Sequence, residues 1–343
     1  MNGPFDLLSP DHVLATVEQT YGLVLDHTVE RFPSYINRVY GVRTDDGVEY
    51  IAKFYRPGRW SQEAIAEEHE FVLDCAAAEL PVVAPIADAE GDTLHEIEFT
   101  AGDDAGTEVE PGATRFAFAL YPKRGGRGFD AEGDAEWYRL GSLIGRVHAA
   151  GRRDDARERL TCTPAGSTRG FVAELRESGI VHPDLREEFF ALADEGLAAI
   201  EPLFAGVPLQ RIHGDFHRGN ILERGDEGLL VIDFDDMMMG PAVQDLWLLL
   251  PDRIGAVRRE LINLLEGYRE FTPFDGRHLA LVEPLRFMRI LYYLAWNARQ
   301  RNDYSFAQEH PEWGSKGFWI KEIEDLRTQL EYVREENDET LHL

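Results

Sequence analysis

His213, Asp215, His217 and Asn220 fall within the eight residues HGDFHRGN, and the apolar run LLVIDF further on carries Asp233 near its end, followed by Asp235 and Asp236. Carboxylates crowded this closely repel one another, so the pattern calls for a counter-charge. An Asn amide oxygen and one or two carboxylates suit Mg2+, which completes its shell with water and substrate phosphate. A spare aspartate beside a substrate hydroxyl can accept its proton. The layout H-x-D-x-x-x-x-N, here His213, Asp215 and Asn220, followed by the strand-end Asp233, is that of a phosphoryl-transfer site. Two other readings compete: an acidic turn with Asx caps, and a zinc site of His213, Asp215 and His217. The zinc site leaves Asn220 and Asp233 without a role. His213 reads as a packed residue bracing the loop. His217 either approaches the substrate or is solvated, and Asp235 is either a second metal contact or a hydrogen-bonded turn residue.

Phosphoryl transfer also needs a cation for the nucleotide phosphates. Lys53, in EYIAKFYR, is the only lysine in the first 122 residues of a chain that has four lysines and 31 arginines. A lysine retained in so arginine-rich a sequence suggests a compact ammonium with a specific task, against the alternative of an ordinary surface residue. The helix expected after it carries an apolar stripe of Ile65, Val72 and Cys75, and Glu68 falls on that stripe. A carboxylate buried there must find a cation, and a strand-to-helix Lys–Glu pair meets that need. Glu67, one step around the helix, is the runner-up. Between Glu30 and Val42 the segment RFPSYINRVYG has no G-x-G-x-x-G pattern. The backbone of Ser34 to Asn37 could still cover phosphates, with the Ser34 hydroxyl as a donor; a plain turn is the other reading.

These residues need elements to hold them. Residues 36–43 and 48–55 read as strands around the turn TDDG, followed by a helix capped by Ser61 and running to about Leu80. Residues 93–100 and 114–121 read as strands, with a polar, Gly-containing loop over 100–113. From about residue 134 the pattern is mostly helical: DAEWYRLGSLIGRVHAAG is amphipathic, and 285–302 is apolar enough for a core helix. The end EENDETLHL reads as frayed, exposed chain. A strand-rich first third therefore precedes a helix-rich remainder, with a Gly- and Pro-containing connector at 120–130.

The 343 residues exceed the usual size of one core, so two lobes are expected. No basic-then-apolar leader is visible, and the longest apolar runs are far too short to span a bilayer. Cys75 and Cys162, the only cysteines, cannot build a disulfide framework or a four-thiolate metal site, which points to a reducing, cytoplasmic setting. A net charge of −28 repels nucleic acid and anionic membranes. It reflects either a salt-adapted proteome or a basic partner.

Lys53, Glu68, HGDFHRGN and VIDFDD together resemble the aminoglycoside phosphotransferase and choline kinase superfamily. SYINRVYGV, AKFYRPGRW, EEHEF, PVVAP, GPAVQDLWLLL and LRFMRILYYLAWNARQ, spread over residues 34–300, narrow the resemblance to the bacterial stress response kinase A family. That resemblance implies an α+β, bilobal, protein-kinase-like fold. It would have a small antiparallel-sheet N-lobe with one long helix over 1–121, binding nucleotide, and a mainly helical C-lobe over 122–343, binding the acceptor. It implies a cytoplasmic enzyme using ATP and Mg2+ to phosphorylate serine or threonine on proteins, acting as a monomer without nucleic acid or membrane. By motif position Asp215 would be the catalytic base, and Asn220 and Asp233 would hold metal. Lys53 would bind the α- and β-phosphates, steered by Glu68. Ser34 matches a serine of the phosphate-covering loop, and the backbone from Leu120 through Tyr121 to Lys123 would meet adenine. Asp245 would brace the catalytic-loop backbone; an acid favoured by a helix N-terminus is the alternative. His217 stands where protein kinases carry a lysine, and DFD replaces DFG. Both departures fit the branch that phosphorylates small hydroxyl compounds, so a small-molecule acceptor is one alternative and a non-enzymatic nucleotide-binding regulator another.

Overall fold

The computed structural model describes residues 5, 7–34, 36–100, 113–303 and 306–339. In chain order it begins with helix α1 (Pro10–Tyr21), strands β1 (Leu25–Phe32), β2 (Arg38–Thr44) and β3 (Glu49–Phe54), and helix α2 (Gln62–Ala77). Strands β4 (His95–Thr100), β5 (Ala113–Pro122) and β6 (Arg127–Gly128) follow, then helices α3 (Asp134–Gly151), α4 (Arg169–Ser178) and α5 (Arg186–Ile200). Short strands β7 (Gln210–Ile212), β8 (Ile221–Glu223), β9 (Leu229–Val231) and β10 (Met238–Gly240) lead into α6 (Val243–Trp247) and α7 (Arg258–Arg269). The chain ends in α8 (Val282–Gln300), α9 (Phe306–Glu309) and α10 (Lys316–Glu339). Among the described residues no helix is long and apolar enough to cross a membrane.

Packing divides the chain into two compact units. The first holds Met1–Asp130, Ala156–Glu158 and Arg218–Asp235, and the second holds Ala131–Asp155, Arg159–His217 and Asp236–Leu343. The boundary expected after residue 121 divides the chain by order and role; the packing division instead groups 218–235 with the first unit.

The first unit is built on a five-stranded antiparallel sheet in the order β1-β2-β3-β5-β4. Period-two alternation assigns its faces. Ala52 and Phe54 of β3 and Phe116, Phe118 and Leu120 of β5 join a core that includes Val13, Leu14 and Val17 of α1. Phe54 and Phe118 stack there at 5.2 Å. The alternate residues serve the opposite face, where Ala119, Tyr55 and Ile65 of α2 form a second cluster. Lys53, paired in register with Ala119 and Val39, therefore projects to the α2 side. A smaller sheet, β6-β8-β9, belongs to the same unit and is tied to Pro81 by the Val231 N–H at 2.8 Å.

Several boundaries differ from the sequence reading. Helix α1 and strand β1 were not anticipated, although Ser9 caps α1 by accepting from the His12 N–H, Pro10 occupies its first turn and Gly22 ends it at φ 64°. Helix α2 stops at Ala77 rather than near Leu80, because the N–H groups of Ala78, Glu79 and Leu80 turn back onto carbonyls 74–76 and Glu79 adopts φ 56°. The run expected as a strand over 229–234 pairs only to Val231, after which Phe234–Asp236 form a 3-10 turn. The loop expected over 100–113 lies, from 101 to 112, outside the described residues. The expected frayed end is helical from Glu335 to Glu339, and 340–343 lie outside the described residues.

In the second unit, α3 and α7 approach closely through glycines: a Cβ on Gly145 would lie 2.6 Å from the Tyr268 carbonyl oxygen. Helix α8 packs against α4, α5 and α10, and Phe189 of α5 meets Trp319 of α10 edge-on at 5.2 Å. The β7–β10 pair, with Ile212 opposite Met238, sets the start of the HGDFHRGN segment.

Candidate active site

Lys53 is the electrostatic centre of the first unit. Its Nζ lies 3.1 Å from Asp235 Oδ1, 3.4 Å from Glu68 Oε1 and 3.7 Å from Asp233 Oδ1. Burial alone would lower its pKa, but Asp235, then Glu68, then Asp233 outweigh that and hold it well above the ordinary lysine value. Asp235 also pairs with Arg59, which comes from the loop after β3. Asp235 is 4 % exposed, so its two cationic partners are what make its charge tolerable. This places Asp235 as an ion-pair anchor. The sequence leaves metal contact and turn residue open for Asp235 and gives no sign of Arg59 beyond its place in the KFYRPGRW segment.

Glu68 and Glu67 have separate partners. Glu68, 2 % exposed, faces Lys53 and also accepts from the Tyr55 hydroxyl at 3.4 Å. Glu67 accepts the backbone N–H groups of Arg157 at 2.6 Å and Glu158 at 2.9 Å, within the same unit. Behind Glu68, the His69 ring meets the hydroxyls of Tyr55 at 2.9 Å and Tyr121 at 3.2 Å through Nε2, and Thr93 at 2.9 Å through Nδ1. Burial, then the Lys53 and His95 charges, push its pKa down to about 3.

Asp233 and Asn220 flank one end of the β8–β9 hairpin. Ile221 pairs with Val231, and the Ile232 N–H continues the ladder to the Asn220 carbonyl at 3.0 Å, which leaves Asp233 next in line. Asp233 takes the left-handed φ of 63°, which aspartate tolerates better than most residues. Its carboxylate is 55 % exposed, against 6 % for Asp235. Of the two, Asp233 is the accessible one. An accessible carboxylate and an amide oxygen are hard donors, and a hard divalent cation fits that set. Among the described residues no three His, Cys, Asp or Glu side chains converge as a metal cluster, and the zinc alternative finds no support in the His213 ring. That ring is fully buried, packs on Phe216 at 5.0 Å and accepts the Asp215 N–H at 3.3 Å.

The remaining nucleotide candidates vary. Ser34 lies in the turn between β1 and β2, and its neighbour Tyr35 is outside the described residues. The Leu120 N–H donates to the Tyr21 hydroxyl at 3.1 Å, and the Leu120 carbonyl accepts from Ile86 N–H at 2.8 Å. The Lys123 N–H is taken by the Glu49 carbonyl, and its ammonium pairs with Glu49 at 2.9 Å and Glu30 at 3.3 Å. The Leu120 N–H and carbonyl and the Lys123 N–H are therefore engaged within the protein. The Tyr121 hydroxyl joins the Tyr55 and His69 network.

Asp215 lies in the second unit, in a different setting. Its Oδ1 accepts from Arg289 Nη2 of α8 at 2.8 Å, and its Oδ2 lies 3.3 Å from His217 Nε2. Burial raises its pKa, but the His217 hydrogen bond and the Arg289 charge outweigh that and hold the carboxyl well below the usual range. Its backbone is held by Asp245, which is fully buried at the start of α6. Asp245 Oδ2 accepts the His213 N–H at 2.8 Å and Oδ1 the Gly214 N–H at 2.9 Å. Oδ2 also receives His148 Nε2 at 2.9 Å, and His148 Nδ1 meets the Tyr268 hydroxyl at 3.0 Å. Gly214 is required here: φ is +82°, and a Cβ would collide with the Asp236 carbonyl oxygen. His148, Tyr268 and Arg289 were missed in the sequence because each sits in a helix pattern that reads as ordinary amphipathic packing.

Residues 28–281 match the model of the phosphotransferase enzyme family. The chain is 33% identical over 336 residues to stress response kinase A of Escherichia coli K12, covering 96% of this chain and 95% of that one. It is 32% identical over 337 residues to the serine/threonine protein kinase RdoA of Salmonella typhimurium, with the same coverage of 96% and 95%. Among solved structures, amicoumacin kinase hAmiN in complex with AMP-PNP, Ca2+ and Ami superposes with a TM-score of 0.68. That likeness covers 93% of this chain and 94% of that one, and at 18% identity it speaks for the kinase-like α+β fold alone.

Proposed function

The chain belongs to the phosphotransferase enzyme family and is a kinase, and we propose that it transfers the γ-phosphoryl group of ATP, with Mg2+, to serine or threonine hydroxyls of proteins. The observation that carries the protein acceptor is the end-to-end similarity to relatives named stress response kinase A and serine/threonine protein kinase RdoA. Residues 1–121 handle the nucleotide and 122–343 carry the base and the acceptor region. The enzyme works as a cytoplasmic monomer.

In this reading Lys53 meets the α- and β-phosphates, and Glu68 keeps the ammonium in place. The turn from Ser34 to Asn37 covers the phosphates, and adenine lies against the strand around Tyr121. Asn220 and Asp233 would hold the divalent cation, which when bound screens the negative charge of the phosphate oxygens. Asp215, already ionised, orients the acceptor hydroxyl and takes its proton. The hydroxyl oxygen forms the new bond to the γ-phosphorus as the bridging P–O bond breaks and ADP leaves. Asp245 fixes the loop so that the Asp215 carboxylate cannot drift from the hydroxyl.

A small-molecule acceptor is the second reading, favoured by His217 at the position two residues after the base. Labelled-phosphate transfer from ATP and Mg2+ by the purified chain decides between them. Label on serine or threonine of a protein acceptor supports the proposal; label confined to amino alcohols, sugars or aminoglycosides replaces it with the second reading.

A further inference from the structure

We propose that one face of α8 is a docking ridge for an unstructured polypeptide acceptor, with Arg289 selecting a carboxylate next to the phosphorylated residue. This deepens the protein-kinase reading and rests on it.

Arg289 is the residue that occupies the Oδ1 of Asp215. An acceptor hydroxyl bonded to that carboxylate comes to lie beside the guanidinium, which has further N–H donors to offer an anion. An acidic side chain on the acceptor supplies that anion, and the bidentate fit of guanidinium to carboxylate makes the contact favourable. An acceptor carrying an ammonium near its hydroxyl meets like charge instead. At about 6 Å and a protein-like dielectric, that repulsion is worth on the order of tenfold to a hundredfold in affinity.

The same face continues as an aromatic strip. Tyr293 and Trp296 lie four and seven residues beyond Arg289, within about 40° of it around the helix. Their rings stack at 5.9 Å with an interplanar angle of 17°, and Tyr293 is 51% exposed. At the helical rise they stand about 6 and 10 Å from Arg289 along the axis. An extended chain covers that in two or three residues. The ridge therefore fits a segment with an acidic residue beside its serine or threonine and a bulky apolar residue two or three positions along. A compact amino alcohol reaches only the unfavourable end.

The test measures kcat/KM and direct binding for peptides that differ only in the flanking residue, aspartate against arginine, with and without an apolar residue two or three positions away. Non-phosphorylatable Ser→Ala versions give binding through Trp fluorescence, independent of turnover. The full chain should favour the aspartate peptide at least tenfold. Arg289→Gln should reduce that preference to within about threefold, whereas Arg289→Lys, which keeps the charge but not the bidentate fork, should retain part of it, which separates charge from folding. Tyr293→Ala with Trp296→Ala should raise the peptide KM about fivefold and leave the KM for ATP unchanged. A preference that persists in Arg289→Gln, or equal binding of the aspartate and arginine peptides, overturns the ridge even if phosphate transfer is robust. Arg289-dependent binding of the aspartate peptide without any transfer upholds the ridge and overturns the protein-kinase reading instead.

Discussion

The two carboxylate centres of this kinase are charge-balanced in different ways. In the first unit, Asp235 and Glu68 are buried and held by Lys53 and Arg59, both nearly out of solvent. In the second, Asp215 stays partly accessible, shares its oxygens with Arg289 and His217, and owes its position to backbone hydrogen bonds made by Asp245. Buried pairs fix a geometry because removing one partner strands the other's charge. The Asp215–Arg289 pair is less enclosed, its side chains 23% and 35% exposed. The first centre is thus the more tightly locked of the two, and the second is the more open to exchange with solvent or a ligand.

The sharpest way to break this comparison is Asp215→Asn. Turnover should fall by roughly a hundredfold to ten-thousandfold, as expected when a general base is lost. MgATP affinity measured by calorimetry should stay within about twofold, since that residue is not part of the Lys53 centre. Equal losses in binding and turnover would erase the distinction between the two centres.

Asp245→Ala probes the brace. It leaves the His213 and Gly214 N–H groups and His148 without their buried acceptor, and should cost about 3 to 5 kcal/mol of stability in denaturant titration. Stability unchanged by this substitution would mean that the loop is held by something else.

Glu68→Gln against Glu67→Gln sharpens the account of the first unit. Neutralising Glu68 should raise the KM for ATP about tenfold, the size of one charge-assisted contact. Neutralising Glu67 should leave the KM for ATP within about twofold and cost about 1 kcal/mol of stability, because it serves the backbone of residues 157 and 158.

The pH response gives the smallest effect and again separates the units. His69 has its pKa lowered from 6.5 to about 3, so the unfolded chain takes up the proton before the folded one does. Its contribution to stability is complete above about pH 6.5 and falls as pH drops towards 3, by up to about 1.4 kcal/mol per unit. Denaturant midpoints at about pH 7.5 and pH 5 should therefore shift by more in the native chain than in His69→Gln. Asp215, held below the ordinary carboxylate range, stays ionised across that window. A fall in kcat there must come from another group.

Much of this was legible from residue type and spacing. The Lys53–Glu68 contact followed from a lone lysine on a strand and a carboxylate on an apolar helix stripe, and the two strands flanking TDDG were read to within two residues. The grouping of HGDFHRGN with VIDFDD was visible because short-range motifs carry their own geometry. What escaped was long-range. Arg59 and Asp235 are 176 residues apart, and Arg289 and Asp215 are 74 apart. No periodicity encodes such pairs, because an arginine that will meet an aspartate looks like any other until the fold brings them together. Helix α1 differs: its end signals, Ser9, Pro10 and Gly22, stand in the sequence itself.

Glu67 and Glu68 sit side by side on α2, one tethering the chain at 157 and 158, the other gripping the phosphate-facing ammonium. A turn of the helix by one residue would trade their places and empty both grips at once. Swinging this helix outward would therefore sever two anchors in one movement, the ammonium of Lys53 and the backbone at 157 and 158.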